Sequence, residues 1–515
     1  MTTTALSKDA LRARFVGKTL HQVPTPAIVL DLAKVEANCN RMLEAARRMN
    51  LSWRAHIKTH KTEELTRLQV GDHDDATPAN IIVSTLMEAE SVVPLLKEYQ
   101  ARGRQVNLLY SFPLYPSSID RLAAVSAQLG RGGLTVMVDH AEQARLLPQL
   151  ASKSGGHPPL VFLKVNVGSD RAGVRPGSPE CAGLARALLL AETVGSCVFW
   201  GLYSHAGHAY AARRDWEAMA VLAAEFGALR DVALRAVRPD RPAHPLVLSV
   251  GATPTVTTLQ HPDFAAGDGN VLDDDDDGDD DDDDEAEKPT TKKEGEEKEK
   301  KKEEEEKDGP GMIKALIARM RAEGLRLEVH AGVYPTLDVQ QLAAHACDAA
   351  TLNASAVAVT VLAEVASVYP GRGAGGKSSE AIVNAGCLAL GREPCEALGA
   401  GHYAGWGILM PWAGVANVVP GPAFPAVHGG WQVARLSQEH GVLAWRGGGE
   451  QEQEKEKEGG GEVAETRLEP GQRVRIWPNH SCIAGAAHPW YLVVDSRNQG
   501  REDEIVDVWV RWNGW

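Results

Sequence analysis

A lysine between two histidines is the first residue whose type and position suggest chemistry. The segment RAHIKTHKT sets Lys58 at the end of an apolar, strand-like run, with His56 and His60 on either side. A lysine in a partly desolvated pocket has a lowered pKa and can form a Schiff base with an aldehyde. Most lysines at strand ends are simply solvated. The interpretation of Lys58 therefore depends on the groups at other strand ends.

A turn of glycine and small hydroxyl residues provides a second candidate, within the segment LSVGATPT. Backbone N–H groups and hydroxyls in such a turn suit a phosphate. We therefore expect Gly251, Ala252 and Thr253 to bind one. The alternative is an ordinary turn without a ligand.

The segment YSHAGHAY clusters tyrosines and histidines at a further strand end. The imidazole of His205 can stack on a cofactor ring, and the phenols of Tyr203 and Tyr210 can reach its polar edge. The alternative is a core histidine with packing tyrosines. Four more chemistry-bearing residues fall at or just beyond strand ends: Arg171, His330, Tyr334 and Asp338.

The segment PNHSC places His480 and Cys482 two residues apart near the C-terminus. In an extended segment both side chains point to the same face. An imidazole and a thiolate together suit Zn²⁺, which accepts both ligand types and keeps open positions when the protein supplies few ligands. A His-x-Cys pair also occurs by chance, so the spacing alone leaves both possibilities open.

Alternating strands and helices position these residues between residues 24 and 345. The apolar runs predict strands at 27–32, 52–60, 80–85, 106–112, 134–140, 160–167, 198–207, 245–252 and 325–332. Helical spacing is clear at 33–50 and 311–324. So many alternations favour a parallel sheet closed into a (β/α)8 TIM barrel. A doubly wound open sheet is the alternative, but no Gly-x-Gly-x-x-Gly follows the first strand.

We expect two domains, because 515 residues exceed what one core usually holds. The pattern predicts an N-terminal segment at 1–23, the barrel at 24–350 and an antiparallel β domain at 351–515. Low-complexity insertions at 273–309 and 447–462 should be disordered.

The acidic insertion carries nearly all of the net charge of -15, since residues 273–308 contain 22 Asp or Glu and 8 Lys. The remainder is almost neutral, which gives no electrostatic reason to expect nucleic acid or a membrane as partner. Seven dispersed cysteines do not resemble a secreted disulfide framework. With no apolar run of spanning length and no secretory signal, we expect a cytoplasmic protein.

Taken together and in this order, the segments resemble the eukaryotic D-serine dehydratase family, relatives of the alanine racemase type of pyridoxal-phosphate enzyme. The resemblance covers nearly the whole chain outside the two insertions. It rests on nine collinear segments: TPAIVLDL, RAHIKTHKT, LKVNVGSDRAGV, LYSHAGHAY, SVGATPT, EVHAGVYPTLDVQQ, SQEHG, PNHSC and DVWVRWNGW.

The resemblance implies a barrel that holds pyridoxal 5'-phosphate, a β domain that supplies zinc, and a homodimer acting on a small D-amino acid. By motif, Lys58 would form the Schiff base, with Tyr203, His205 and Tyr210 around the ring. The turn at 251–253 would hold the phosphate. His480 and Cys482 would bind the metal.

The implied reaction removes water and ammonia from D-serine. The related D-threonine aldolases place an aspartate where Cys482 stands, which favours dehydration over aldol cleavage. Aldolase, 3-hydroxyaspartate dehydratase and racemase activities remain alternatives on the same scaffold. A non-catalytic cofactor carrier would lack the C-terminal domain, and a scaffold protein would bind partners through residues 273–308.

Overall fold

The structure is a computed structural model that describes residues 7–238, 245–265, 309–395, 403–447 and 465–515. The strands are β1 (Ala27–Asp31), β2 (Ser52–His56), β3 (Ala79–Val83), β4 (Val106–Pro113), β5 (Leu134–Val138), β6 (Leu160–Lys164), β7 (Val198–Tyr203), β8 (Val247–Val250), β9 (Arg326–Ala331), β10 (Val359–Tyr369), β11 (Glu380–Val383), β12 (Gly407–Met410), β13 (Gly430–Leu436), β14 (Gly441–Arg446), β15 (Arg473–Pro478), β16 (Trp490–Val494) and β17 (Ile505–Val510). The α-helices are α1 (Lys8–Phe15), α2 (Leu32–Arg48), α3 (Glu63–Val70), α4 (Leu86–Ala101), α5 (Ile119–Leu129), α6 (Ala141–Ala144), α7 (Leu147–Lys153), α8 (Pro179–Thr193), α9 (Asp215–Val232), α10 (Thr253–Thr257), α11 (Gly309–Ala322), α12 (Val339–Ala344), α13 (Cys387–Leu390) and α14 (Ser481–Ala486).

Strands β2 to β9 form a closed barrel in which every strand runs parallel to its neighbours. Helices on the outside bury one face against it. On α2, for example, Val35, Cys39, Met42 and Ala46 are buried at helical spacing. The predicted (β/α)8 barrel is therefore confirmed.

The first predicted strand belongs to a different sheet. β1 pairs antiparallel with β10 and parallel with β16, so it lies inside the C-terminal domain although the predicted barrel range of 24–350 includes it. Its burial is consistent with a central position, because the four residues from Ile28 to Asp31 are buried. An apolar run shows that a strand is covered on both faces, but it does not show which strands pair with it.

The C-terminal domain is a nine-stranded sheet in the order β11-β14-β13-β12-β15-β10-β1-β16-β17. Every pairing is antiparallel except that between β1 and β16. Trp431, Trp445 and Ile476 lie in the apolar cluster that packs one part of this sheet. The predicted antiparallel β domain is confirmed, with one N-terminal strand added to it.

The N-terminal segment predicted at 1–23 contains α1, whose Leu11 and Phe15 pack against Ile505 and Val508 of β17. Of the two low-complexity insertions, residues 273–308 and 448–462 lie outside the described residues. The predicted boundaries extend slightly into ordered structure, because Gly309 begins α11 and Gly447 directly follows β14.

Candidate active site

Chemistry-bearing side chains gather at the C-terminal ends of the barrel strands. Lys58 lies two residues beyond β2, Lys164 and Tyr203 end β6 and β7, and Gly251 directly follows β8. The strands of a (β/α)8 barrel all end on one face, so these groups converge there. This is the face on which such barrels carry their active sites.

A cavity of about 390 Å³ opens among these strand ends. Lys58, Tyr203 and His205, three of the predicted site residues, line it. Two further cations, Lys164 and Arg171, also line it, and no Asp or Glu of the described residues does so. A concave site with several cations and no carboxylate favours anions such as phosphate or carboxylate.

Lys164 is a second amine in this cavity and, unlike the partly exposed Lys58, is buried. The sequence analysis did not single it out. Its side chain is 6% exposed, and burial, with Arg171 adding to it, lowers its pKa to about 8. Its Nζ lies 5.0 Å from the centroid of the Tyr203 ring. The signal was present in the sequence, because Lys164 ends the apolar strand LVFLK much as Lys58 follows its own strand.

His205 is fixed in one tautomer by a backbone group. Its Nδ1 donates a hydrogen bond of 2.7 Å to the carbonyl oxygen of Gly251, which can only accept. Burial, together with the positive charge of Lys58, lowers the pKa of His205 to about 3. The imidazole is therefore neutral at physiological pH, and its Nε2 is an acceptor.

Tyr203 and His330 form a stacked pair under the cavity. Their ring centroids are 4.3 Å apart and their planes differ by 10°. His330 Nδ1 is bonded to the hydroxyl of Ser249 at 3.1 Å, whereas its buried Nε2 has no partner among the described residues. Burial lowers the pKa of His330 and raises that of Tyr203, so both rings are neutral.

The predicted phosphate turn is closely packed against β9. Gly251 has φ +146°, and a Cβ there would lie 2.2 Å from the carbonyl oxygen of His330. Thr253 Oγ1 accepts the N–H groups of Gly332 at 3.3 Å and Val333 at 3.0 Å. The N–H of Ala252 donates to Thr255. The turn thus borders His205 but does not line the 390 Å³ cavity.

Tyr210 lies beside Thr253 of this turn and Gln341 of α12, between the turn and the C-terminal domain. Burial raises its pKa, and the nearby Cys482 and Asp338 add to that effect. Tyr210 therefore lies between the phosphate turn and the predicted metal ligands, not in the lining of the cavity.

His480 and Cys482 lie together at the start of α14, but not in the extended segment that was predicted: His480 precedes the helix and Cys482 lies in its first turn. Burial opposes their charged forms, but the interaction between the two side chains raises the pKa of His480 to about 9 and lowers that of Cys482. Lys58 is close enough for its charge to lower both values. These shifts favour the charged forms of both groups, an imidazolium and a thiolate, beside Lys58.

This pair offers two candidate metal ligands, an imidazole and a thiol. The described part of the chain contains no group of three or more His, Cys, Asp or Glu able to hold a metal. The neighbouring carboxylate of Asp338 instead accepts N–H groups from Ser481 at 2.8 Å and Gln341 at 3.0 Å. A tetrahedral Zn²⁺ on this nitrogen and sulfur would keep two positions open, the arrangement of a metal that meets substrate.

Two features lie away from this centre. Tyr334 is buried and packs edge-on against Trp53 with centroids 5.4 Å apart, so it belongs to the core. A larger cavity of about 580 Å³ opens at the opposite end of the barrel, where Ser52 and Asn80 mark the starts of β2 and β3. The active sites of (β/α)8 barrels lie at the other face.

In the described residues no helix combines the length and apolarity needed to cross a membrane.

Comparisons with known proteins agree with this architecture. Residues 30–266 match the family described as "Alanine racemase, N-terminal domain", and residues 358–494 match "Putative serine dehydratase domain". Among solved structures, the chain is similar to D-threo-3-hydroxyaspartate dehydratase from Delftia sp. HT23, with a TM-score of 0.63 and 23% identity over 97% of this chain and 100% of that one. D-threonine aldolase from Filomicrobium marinum gives a TM-score of 0.61 and 20% identity over 96% and 97%. These structures share the fold.

Similarity to curated proteins is stronger. The D-serine dehydratase of Schizosaccharomyces pombe is 33% identical over 512 residues, which are 99% of this chain and 96% of that protein. The D-serine dehydratase of Saccharomyces cerevisiae is 28% identical over 98% and 99%. With both halves of the fold matched and its full length aligned, this chain belongs to the D-serine dehydratase family of pyridoxal-phosphate lyases.

Proposed function

We propose that the chain is a D-serine dehydratase that uses pyridoxal 5'-phosphate and zinc to convert D-serine to pyruvate and ammonia. Lys58 binds the cofactor, and His480 with Cys482 binds the metal. One observation carries the proposal: the thiol of Cys482 lies 3.1 Å from the hydroxyl of Thr59, the residue after Lys58. The lysine and the metal ligands therefore act on the same small substrate.

The barrel residues fit the cofactor. The lysine reaches a cavity whose cations suit a phosphate, a phenolate and a substrate carboxylate. The neutral His205 lines this cavity, and the neutral His330 stacks behind it on Tyr203, with its Nε2 unpartnered among the described residues. When bound, pyridoxal phosphate acts as an electron sink for negative charge at the substrate Cα. In this arrangement Lys58 Nζ is the group that takes the Cα proton.

The domain junction fits the metal. His480 and Cys482 place an imidazole nitrogen and a sulfur together at the start of α14, and their deprotonated forms would hold the metal. When bound, zinc acts as a Lewis acid that stabilises negative charge on the departing hydroxyl oxygen. Asp338 and Thr59 hold the ligands from either side, through Ser481 and through the Cys482 sulfur.

A second candidate substrate is D-threo-3-hydroxyaspartate. A Delftia protein named for dehydrating that compound is 26% identical over 96% of this chain and 99% of its own length. The cavity itself favours this candidate, because Lys164 and Arg171 are two cations that can accept a second carboxylate. Aldol cleavage of D-threonine is the third possibility.

Purified protein incubated with each D-amino acid distinguishes these activities by product. We expect pyruvate from D-serine, with the highest kcat/KM of the set, and its loss on treatment with a chelator. Oxaloacetate from D-threo-3-hydroxyaspartate at a higher kcat/KM would transfer the assignment to that dehydratase. Glycine and acetaldehyde from D-threonine, or L-serine without pyruvate, would overturn dehydration altogether.

We also propose that the protein acts as a homodimer in the cytoplasm, as the family resemblance implies. The homodimer is tested by analytical ultracentrifugation of the loaded enzyme, in which a monomer alone would contradict it. Fractionation of the source cells tests the compartment.

A further inference from the structure

The Lys58 loop and the His480–Cys482 helix belong to different domains, yet the proposed function requires a fixed distance between them. Lys58 follows β2 of the barrel, whereas the two metal ligands begin α14 of the C-terminal domain. The segment after β17, at the C-terminus of the chain, contacts both of them. We propose that Arg511 in this segment is a positioning residue that locks the two elements together.

Arg511 bonds to both elements through one guanidinium group. Its Nε donates to the carbonyl oxygen of His60 at 3.0 Å, two residues after Lys58. Its Nη1 donates to the carbonyl oxygen of His488 at 3.4 Å, two residues after α14 ends. Arg511 is 5% exposed, so water does not compete effectively for either bond.

We call the two hydrogen bonds of Arg511 the clamp, and neighbouring groups add further hydrogen bonds to it. The N–H of Trp512 donates to Lys61 O at 2.8 Å, and the hydroxyl of Tyr491 donates to Thr59 O at 3.3 Å. With Arg511 on His60, three consecutive carbonyls after Lys58 are held by the C-terminal domain. The loop cannot shift relative to α14 unless these bonds break.

The site requires an arginine in particular. A guanidinium presents several donors in a rigid fork, whereas an ammonium is a single point on a flexible stem. Among the described residues no carboxylate lies within ion-pair distance of Arg511, so backbone carbonyls alone receive its donors. The helix also approaches closely: a Cβ on Gly485 would lie 3.3 Å from Arg511 Nη1 and 2.6 Å from Tyr491 Oη.

The consequence for catalysis follows from geometry and rests on the proposed function. Removing the clamp leaves Lys58, His480 and Cys482 in place but frees the loop to move relative to the helix. A misplacement of about 1 Å can cost about 10²-fold in rate. The cofactor remains bound through Lys58, and zinc remains bound through His480 and Cys482. We therefore expect kcat to decrease while the content of both stays unchanged.

The test compares Arg511→Met with a matched control, Arg104→Met. Arg104 is also buried, and it donates to the carbonyls of Thr77, Gly71 and Val70 at the opposite end of the barrel. We expect Arg511→Met to lower kcat for D-serine by about 10- to 100-fold, with wild-type zinc content and cofactor absorption. Arg104→Met should lose comparable stability but keep kcat within about twofold. Equal kcat in the two variants would overturn the proposal, as would a loss explained by missing zinc or cofactor.

Hydrogen–deuterium exchange provides a readout independent of activity. In Arg511→Met, the amides of residues 57–62 and 481–488 should both exchange faster than in wild type, and in Arg104→Met neither should change. If Arg511→Met does not fold, Arg511→Lys against Arg104→Lys replaces the pair, with a smaller loss of kcat expected. Wild-type protein that releases no pyruvate would count against the proposed function alone, because the exchange data would still decide whether the clamp exists.

Discussion

Thr59 Oγ1 and Cys482 Sγ lie 3.1 Å apart, although 423 residues of chain separate them. One residue belongs to the loop of Lys58 and the other to α14, the helix of the proposed metal ligands. The contact brings the two chemical groups of the proposed reaction to one place. A lysine that takes a proton from Cα and a metal that stabilises the departing hydroxyl oxygen must meet on adjacent atoms of the substrate. The junction between the domains meets this requirement.

Replacing Lys58, the proposed cofactor lysine, should abolish catalysis without affecting the fold. Lys58→Ala removes the only proposed attachment of the cofactor, so the absorption band of the lysine-bound cofactor should disappear. Pyruvate release should fall by at least about 10²-fold, since general base catalysis is lost with it. Lys97→Ala, at an exposed position on α4, is the matched control and should behave as wild type. A normal absorption band in Lys58→Ala would show that another lysine binds the cofactor.

The thiol of Cys482 should be unusually reactive in metal-free protein. Although burial opposes ionisation, the interaction with the neighbouring His480 lowers the pKa of Cys482. Thiolates alkylate faster than thiols. We therefore expect iodoacetamide to modify Cys482 quickly at pH 7, and more slowly in His480→Ala or after zinc is added. Mass spectrometry of the peptide measures the rate, with the partly exposed Cys387 as internal reference. If neither His480→Ala nor added zinc changed the alkylation rate of Cys482, the proposal that His480 and Cys482 bind the metal together would be contradicted.

Lys164 should make stability depend on pH in the alkaline range. Burial lowers its folded-state pKa from 10.5 to about 8, so the unfolded chain binds more protons between these values. The free energy of unfolding of the cofactor-free protein should consequently rise from pH 8 to 10.5, relative to Lys164→Met. Below pH 8 the variant should be more stable by about 1 to 3 kcal/mol. Urea titrations of both proteins across this range measure the difference, and a constant difference would contradict a lowered pKa.

Gly251→Ala should weaken cofactor binding. The glycine has φ +146°, and the new Cβ would lie 2.2 Å from His330 O, so the turn and β9 must separate. We expect cofactor affinity to drop by about tenfold or more, equivalent to about 1.4 kcal/mol. Gly227→Ala on α9 is the control, because its Cβ would meet nothing within 4 Å. The cofactor is titrated into both variants, and equal affinities would show that the turn does not bind the cofactor.

Strand ends were the most reliable guide that the sequence offered. Apolar runs locate each barrel strand, and the residues that follow these runs lie on one face of a parallel barrel. Lys58, Tyr203 and His205 line the cavity on that face, whereas Gly251 after β8 does not, and the roles of all four stay predictions. The argument that brought His480 and Cys482 together assumed an extended segment, whereas Cys482 lies in the first turn of α14 and His480 precedes it.

Other features depend on partners far away in the chain, which a local pattern does not encode. The run at β1 looks like a barrel strand, but its neighbours β10 and β16 begin more than 300 residues later. In the sequence, Arg511 is an ordinary charged residue near the C-terminus. Its hydrogen bond to the carbonyl oxygen of His60 is visible only in the fold. Glu225 was missed for the same reason: it lies inside α9, where it accepts a hydrogen bond from Ser204 behind the site at 2.9 Å.

Cys482→Ala separates the two halves of the proposed reaction most directly. The loaded variant is incubated with D-serine in D₂O, and both Cα deuterium incorporation and pyruvate are followed in time. Because Lys58 is intact and zinc is not held, deuterium incorporation should continue while pyruvate release falls by at least about 10²-fold. Pyruvate released at the wild-type rate, or exchange lost together with it while the cofactor stays bound, would contradict the division of labour between Lys58 and the metal.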